Sequence, residues 1–180
     1  MDFNYIVRIE NQEEVNIAEN LLNNEELKCF TVSTNVNAND FIKKAQEAEK
    51  IVLCEGENLV EYYKENSLDG VIIDVQDSWK IKKDIKEIKG QLDKDAFIGA
   101  KCHISRHESM LAGEADIDFV LYSKYNEDKE KSLNMITWWN ELFTIQSAIE
   151  GDFEKEDITK LNEVNPDFII LNAKNYENLG

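Results

Sequence analysis

Gly70-Val71-Ile72-Ile73-Asp74, then Ile81, Ile85, Ile88 and Leu92 set among lysines and acids, then Phe97-Ile98-Gly99-Ala100, form the most informative part of this chain. The first run is rich in β-branched residues and short, which suits a strand. The four apolar residues that follow recur at helical spacing, so they share one side of a helix while charged residues take the other. The next apolar run is again strand-sized. Strand, amphipathic helix and strand in that order predict two parallel strands joined by a crossover helix.

The same unit repeats on both sides. Strands are expected over Tyr5 to Ile9, Cys29 to Ser33, Ile51 to Cys54, Gly70 to Asp74, Phe97 to Ala100, Phe119 to Tyr122, Ser147 to Ile149 and Phe168 to Leu171. Between them, helical periodicity runs over Glu13 to Asn23, Ala38 to Ala48, Leu59 to Glu65, Trp79 to Leu92, Ser105 to Ala115, Leu133 to Phe143 and Asp157 to Val164, with a short last segment from Ala173. Eight units predict a closed (β/α)8 barrel, and at 180 residues its loops must be tight, because such barrels usually take roughly 200 to 250. An open doubly wound sheet would normally carry a glycine-rich phosphate turn after an early strand, and neither G-x-G-x-x-G nor G-x-x-x-x-G-K-[ST] occurs. The only proline, Pro166, precedes the last strand, where it stops a helix and removes no ladder hydrogen bond. No linker or tandem repeat divides residues 1–180, which read as one domain.

Thirty-seven acids against twenty bases give a formal charge of −17. That charge repels nucleic acid and anionic membrane, so neither is expected as a partner. No apolar run is long enough to span a bilayer, and the first residues lack the cationic and apolar regions of a secretory signal, so the expected location is the cytoplasm. Cys29, Cys54 and Cys102 are widely spaced and set in or beside apolar runs, as reduced core thiols are. They lack C-x-x-C spacing, and no zinc site is expected. His103 and His107 stand four apart, but without a third ligand they read as capping or surface residues. Trp138 and Trp139 are adjacent on a helix and cannot share a face, so one is expected in the core and the other against a neighbouring helix or a dimer surface. No G-x-S-x-G occurs, and no Ser or Cys shows a base partner along the chain.

From Phe97 onward the residues become specific. Ile98-Gly99-Ala100-Lys101-Cys102-His103-Ile104-Ser105-Arg106-His107-Glu108-Ser109-Met110-Leu111-Ala112-Gly113-Glu114-Ala115 and Asp118-Phe119-Val120 resemble the fifth strand, fifth helix and sixth strand of the thiamine phosphate synthase/TenI family. The likeness is nearest to a proteobacterial branch with an H-x-S-R-H-x-x-M-x-A-G-E-A run. Trp138-Trp139-Asn140-Glu141-Leu142, Ser147-Ala148-Ile149-Glu150-Gly151 and Asp167-Phe168-Ile169-Ile170-Leu171 are similar to later segments of that branch, and Asp69 to Asp77 to its fourth strand. The first fifty residues match only in the order of elements. The family fold is a (β/α)8 barrel, in agreement with the count of units.

The resemblance implies a reaction joining hydroxymethylpyrimidine diphosphate to thiazole phosphate, assisted by Mg2+ and lysine. By position it assigns Glu55 and Asp77 to the metal, Lys101 and Lys131 to the diphosphate as catalytic cations, and Ser123, Gly151 and Asn172 to substrate and phosphate. Departures from the family pattern are equally specific. The strand-two Q-x-R-x-K becomes Phe30-Thr31-Val32-Ser33-Thr34, without a cation, and Lys101 replaces the serine of G-V-S-x-H. The Gly-Gly phosphate cradle after strand seven becomes Glu150-Gly151-Asp152. One carboxylate about 5 Å from a phosphate charge repels it by roughly 3 kcal/mol at an effective dielectric near 20, about a hundredfold in affinity. These changes predict weak or absent synthesis of thiamine phosphate. Two alternatives stand beside it: a non-catalytic barrel that binds a phosphorylated small molecule or a protein, and a TenI-like thiazole tautomerase. Homodimerisation is carried over from the family.

Overall fold

The computed structural model describes residues 4–76 and 78–180. Asp77, the expected second metal carboxylate, lies outside the described residues. Among those described, the elements alternate strictly: β1 (Asn4–Ile9), α1 (Gln12–Leu21), β2 (Cys29–Ser33), α2 (Asn39–Glu47), β3 (Ile51–Glu55), α3 (Leu59–Glu65), β4 (Gly70–Asp74), α4 (Ile81–Lys89), β5 (Phe97–Lys101), α5 (Arg106–Gly113), β6 (Phe119–Tyr122), α6 (Lys129–Leu142), β7 (Gln146–Glu150), α7 (Lys155–Val164), β8 (Phe168–Asn172) and α8 (Ala173–Leu179). The eight strands pair in parallel in chain order, and β8 returns to β1 through Tyr5↔Ile169 and Val7↔Leu171. The expected barrel is therefore closed.

The boundaries shift in an informative way. β3, β5, β7 and β8 each run one residue past the apolar run, so Glu55, Lys101, Glu150 and Asn172 end strands instead of starting loops. Their pairing continues through those polar residues, with Ser33↔Glu55, Asp74↔Lys101, Glu150↔Ile170 and Arg8↔Asn172 in register. α4 is shorter than its periodicity suggests, and α6 begins four residues sooner because the Asp128 side chain caps it by accepting from the Lys131 N–H.

Alternation along each strand sorts the residues. One set faces outward to the helices and builds the larger core with Phe41, Ile85, Ile136, Trp139 and Leu161. The other set fills the barrel, where Ile6, Leu53, Ile72, Phe119, Leu121, Ala148 and Ile170 form a separate cluster. Gly99 is required there, because a Cβ would meet the Phe119 ring at 2.3 Å. Trp139 is fully buried, stacks on Phe143 at 4.1 Å and donates its indole N–H to the Ile145 carbonyl at 2.7 Å. Trp138 lies nearer the surface, with the Arg106 guanidinium of α5 4.9 Å from its ring centroid.

The N-terminal ends of the strands share a device. Asp69, Asp118 and Asp167 stand just before β4, β6 and β8, and each carboxylate accepts the backbone N–H of the preceding odd strand, from Val52 at 2.8 Å, Ile98 at 2.7 Å and Ser147 at 2.8 Å. Each spans two neighbouring strands and fixes their register with a charge-assisted bond. Thr31 contrasts with them, since its hydroxyl is buried without a hydrogen-bond partner. Thr31→Val removes that unmet polar group at constant shape and is expected to leave the melting temperature unchanged or raise it. A clear fall on thermal unfolding would mean that the hydroxyl has a function in the fold.

No helix among the described residues is long and apolar enough to cross a membrane. The three cysteines are free thiols, and burial raises Cys54 to about 12.

Candidate active site at the barrel mouth

Strand alternation sets the mouth. Residues two beyond the apolar interior layer point the same way at the C-terminal ends, so Arg8 follows Ile6, Glu55 follows Leu53, Asp74 follows Ile72, Ser123 follows Leu121, Glu150 follows Ala148 and Asn172 follows Ile170. Lys101 joins them from β5. Thus Glu55, Lys101, Ser123, Glu150 and Asn172, all expected at the mouth, stand at the C-terminal end of the barrel. Lys131 does not join them; it is exposed in the first turn of α6.

The polar layer is closed on itself. Lys101 Nζ lies 2.7 Å from Glu55 Oε2 and 3.6 Å from Glu150 Oε1, and Arg8 Nη1 lies 3.0 Å from the same Glu150 oxygen. Arg8 also reaches Glu10 at the rim, 3.3 Å away. Arg8, Glu55, Lys101 and Glu150 are largely excluded from water, with Glu150 only 7% exposed. Burial pushes the Glu150 carboxyl above its ordinary value even though Lys101 and Arg8 pull it down. Burial would lower Lys101, but Glu150 and Glu55 outweigh it and hold the ammonium above its usual range. Arg8 was not anticipated from the sequence, although its phase with Ile6 in β1 places it inward.

Beside this layer opens a cavity of about 730 Å³, whose wall includes Glu10, Ser33, Glu55, Glu57, Glu61, Asp74 and Lys101. Its one lysine is already held by Glu55. One oxygen of the Glu55 carboxylate, Oε2, is taken by the Lys101 ammonium at hydrogen-bond distance. Among the described residues no three His, Cys, Asp or Glu side chains gather where they could hold a metal.

The loop after β7 is also internally satisfied. The Gly151 N–H goes to the Ile170 carbonyl at 3.2 Å, Asp152 N–H to Asn126 Oδ1 at 2.8 Å, Phe153 N–H to Asn175 Oδ1 at 2.8 Å and Glu154 N–H to Asp157 Oδ2 at 2.9 Å. Asp152 in turn accepts from Asn126 at 2.9 Å and from Asn172 at 3.3 Å. Gly151 is tightly packed, with Tyr125 2.9 Å from where a Cβ would stand. A backbone cradle needs open N–H groups, and these are spent.

His103 corrects one expectation, that no serine has a base partner. It lies outside α5 in a left-handed turn with φ of 52°, so it and His107 are not a helical i, i+4 pair. It gives Ser123 that partner: Nδ1 lies 2.9 Å from Ser123 Oγ, while Nε2 lies 3.0 Å from Asp74 Oδ1. The bond from His103 is the main reason the Asp74 carboxyl sits below its ordinary value.

No family model matches the chain. It is 32% identical over 96 residues to a thiamine-phosphate synthase of Erythrobacter litoralis, covering 49% of this chain and 45% of that one. It is 28% identical over 109 residues to a thiamine-phosphate synthase of Rhodospirillum centenum, covering 57% and 50%. The chain thus spans about half the length of the curated relatives it matches. In structure it is similar to thiamine phosphate pyrophosphorylase from Pyrococcus furiosus, with a TM-score of 0.76, 14% identity and coverage of 99% and 94%, a likeness of fold.

Proposed function

We propose, for a chain that belongs to the thiamine phosphate synthase/TenI family, that its mouth has lost the anion chemistry of that reaction and that thiamine phosphate synthesis is weak or absent. One observation carries this reading: every backbone N–H from Gly151 to Glu154 is taken by a group of the chain itself. An incoming phosphate would have to break those bonds and meet Glu150 and Asp152 as well. Arg8 and Lys101 are positive, but Glu150 and Glu55 already neutralise them. Lys101 holds an oxygen of Glu55, the residue that the resemblance assigns to Mg2+. Among the described residues of the mouth, transition-state charge on a leaving diphosphate therefore meets no cation that is not already paired with a carboxylate, as electrostatic catalysis would need.

The test is turnover with both substrates and Mg2+, in the wild type and in a Glu150→Gly/Asp152→Asn variant. Wild type is expected to give no product above background. The variant releases Arg8 from Glu150 while Lys101 stays on Glu55, removes repulsion of roughly 3 kcal/mol per carboxylate, and should bind inorganic phosphate at least about tenfold more tightly by calorimetry. A wild-type rate of roughly 1 per second, ordinary for an enzyme, would sink the proposal. So would a variant that binds phosphate no better.

A further inference from the structure

The ends of β4, β5 and β6 bring together Asp74, His103 and Ser123 in one hydrogen-bonded line. Asp74 supplies an acceptor 3.0 Å from His103 Nε2, and Ser123 Oγ lies 2.9 Å from Nδ1. An ionised carboxylate only accepts, so the imidazole proton stands on Nε2, and Nδ1 turns its lone pair toward the serine hydroxyl. His103 is held for this by a backbone conformation uncommon for a residue with a side chain, and its side chain is only 12% exposed. Nucleophile, base and the group that orients the base are recognised by this geometry wherever they fall in a chain.

We propose that Ser123, His103 and Asp74 form a base-activated serine that accepts the acyl group of a small uncharged or cationic ester. Asp74 also borders the acid-lined cavity with Glu10, Glu55 and Glu57, which disfavours an anionic substrate. Ser123 Oγ attacks the ester carbonyl carbon, and its proton passes to His103 Nδ1. The tetrahedral intermediate collapses with cleavage of the ester C–O bond, and the same proton goes to the departing alcohol. Water, losing a proton to His103, then attacks the acyl-serine carbonyl, and as the bond to Ser123 Oγ breaks that proton passes to Oγ, releasing the acid and the free serine. Asp74 stabilises the imidazolium in both halves.

A fluorophosphonate probe and p-nitrophenyl acetate test this on the whole chain. The expected result is one phosphonyl adduct per chain, mapped to Ser123 by peptide mass spectrometry, together with steady aryl-acetate hydrolysis. Ser123→Ala should abolish the adduct, and His103→Gln should slow labelling by about a hundredfold, as loss of a general base does. Asp74→Asn should slow it less, with circular dichroism confirming that each variant folds. Acetylthiocholine should be cleaved faster than an ester carrying a second carboxylate. The proposal is overturned by an adduct on another residue, by no adduct at all, or by Ser123→Ala hydrolysing at the wild-type rate. An anionic ester as the better substrate overturns the assigned ligand class. None of these outcomes depends on whether thiamine phosphate is made.

Discussion

Lys101→Met is expected to lower stability by about 3–5 kcal/mol near pH 7.5, the loss that follows when one partner of a buried ion pair is removed and the other charge stays. Two carboxylates lose their ammonium at once, since Lys101 holds Glu55 at 2.7 Å and Glu150 at 3.6 Å. Methionine fills similar space, so packing contributes little to the change. The deficit should depend on pH in a defined direction. Glu150 already has a folded-state value above an unfolded glutamate's, so its contribution is most favourable in acid and is lost as pH rises through the folded value. Without Lys101 that value climbs further, and the penalty at neutral pH grows. Below about 4.3, where an unfolded glutamate also protonates, Glu150's part of the deficit should vanish. Urea titrations of both proteins at pH 7.5 and pH 4 measure this. A loss under about 1 kcal/mol at pH 7.5 would show that water reaches the layer and screens it.

The second large effect is expected from Trp139→Ala, on the opposite side of the strands. The indole is fully buried, stacked on Phe143 and bonded to the Ile145 carbonyl. Truncation leaves a cavity between α6 and the sheet and an unmet carbonyl beside it, at a cost of about 3–5 kcal/mol. For a domain this size that lowers the melting temperature by roughly 10 °C. Trp139→Phe keeps most of the apolar volume but not the hydrogen bond, so it should fall between the two. Calorimetry that ranked Phe below Ala would contradict this account of the packing.

These two residues differ in how readily the sequence exposed them. Trp139 follows from helical phase, since adjacent tryptophans must face apart and only one can reach the sheet. Lys101, Glu55, Glu150 and Asn172 followed from the ends of apolar runs together with the resemblance. Arg8 escaped because the first fifty residues carry no specific likeness, although β1 alternation from Ile6 puts it on the interior face. The Asp74–His103–Ser123 line was not legible at all. Its members are 29 and 20 residues apart and meet only because neighbouring strands end at matching heights. Reading His103 as a capping or surface residue hid it further, since it stands in a left-handed turn outside α5 where helical phase gives no orientation. The exhausted amides of residues 151 to 154 belong to the same class, because side chains as distant as Asn126 and Asn175 take them.

Asp69, Asp118 and Asp167 clamp alternate strand pairs from the end of the barrel farthest from the mouth. What keeps the barrel in register is thereby separated in space from what would bind or transform a ligand. A lineage with such an arrangement can exchange groups at the open end without losing strand register, provided that the buried charges of Arg8, Glu55, Lys101 and Glu150 change together. The three aspartates of that lower end lie in the same segments that carry the likeness to the family, so the likeness and the register of the barrel are held by the same stretches of chain.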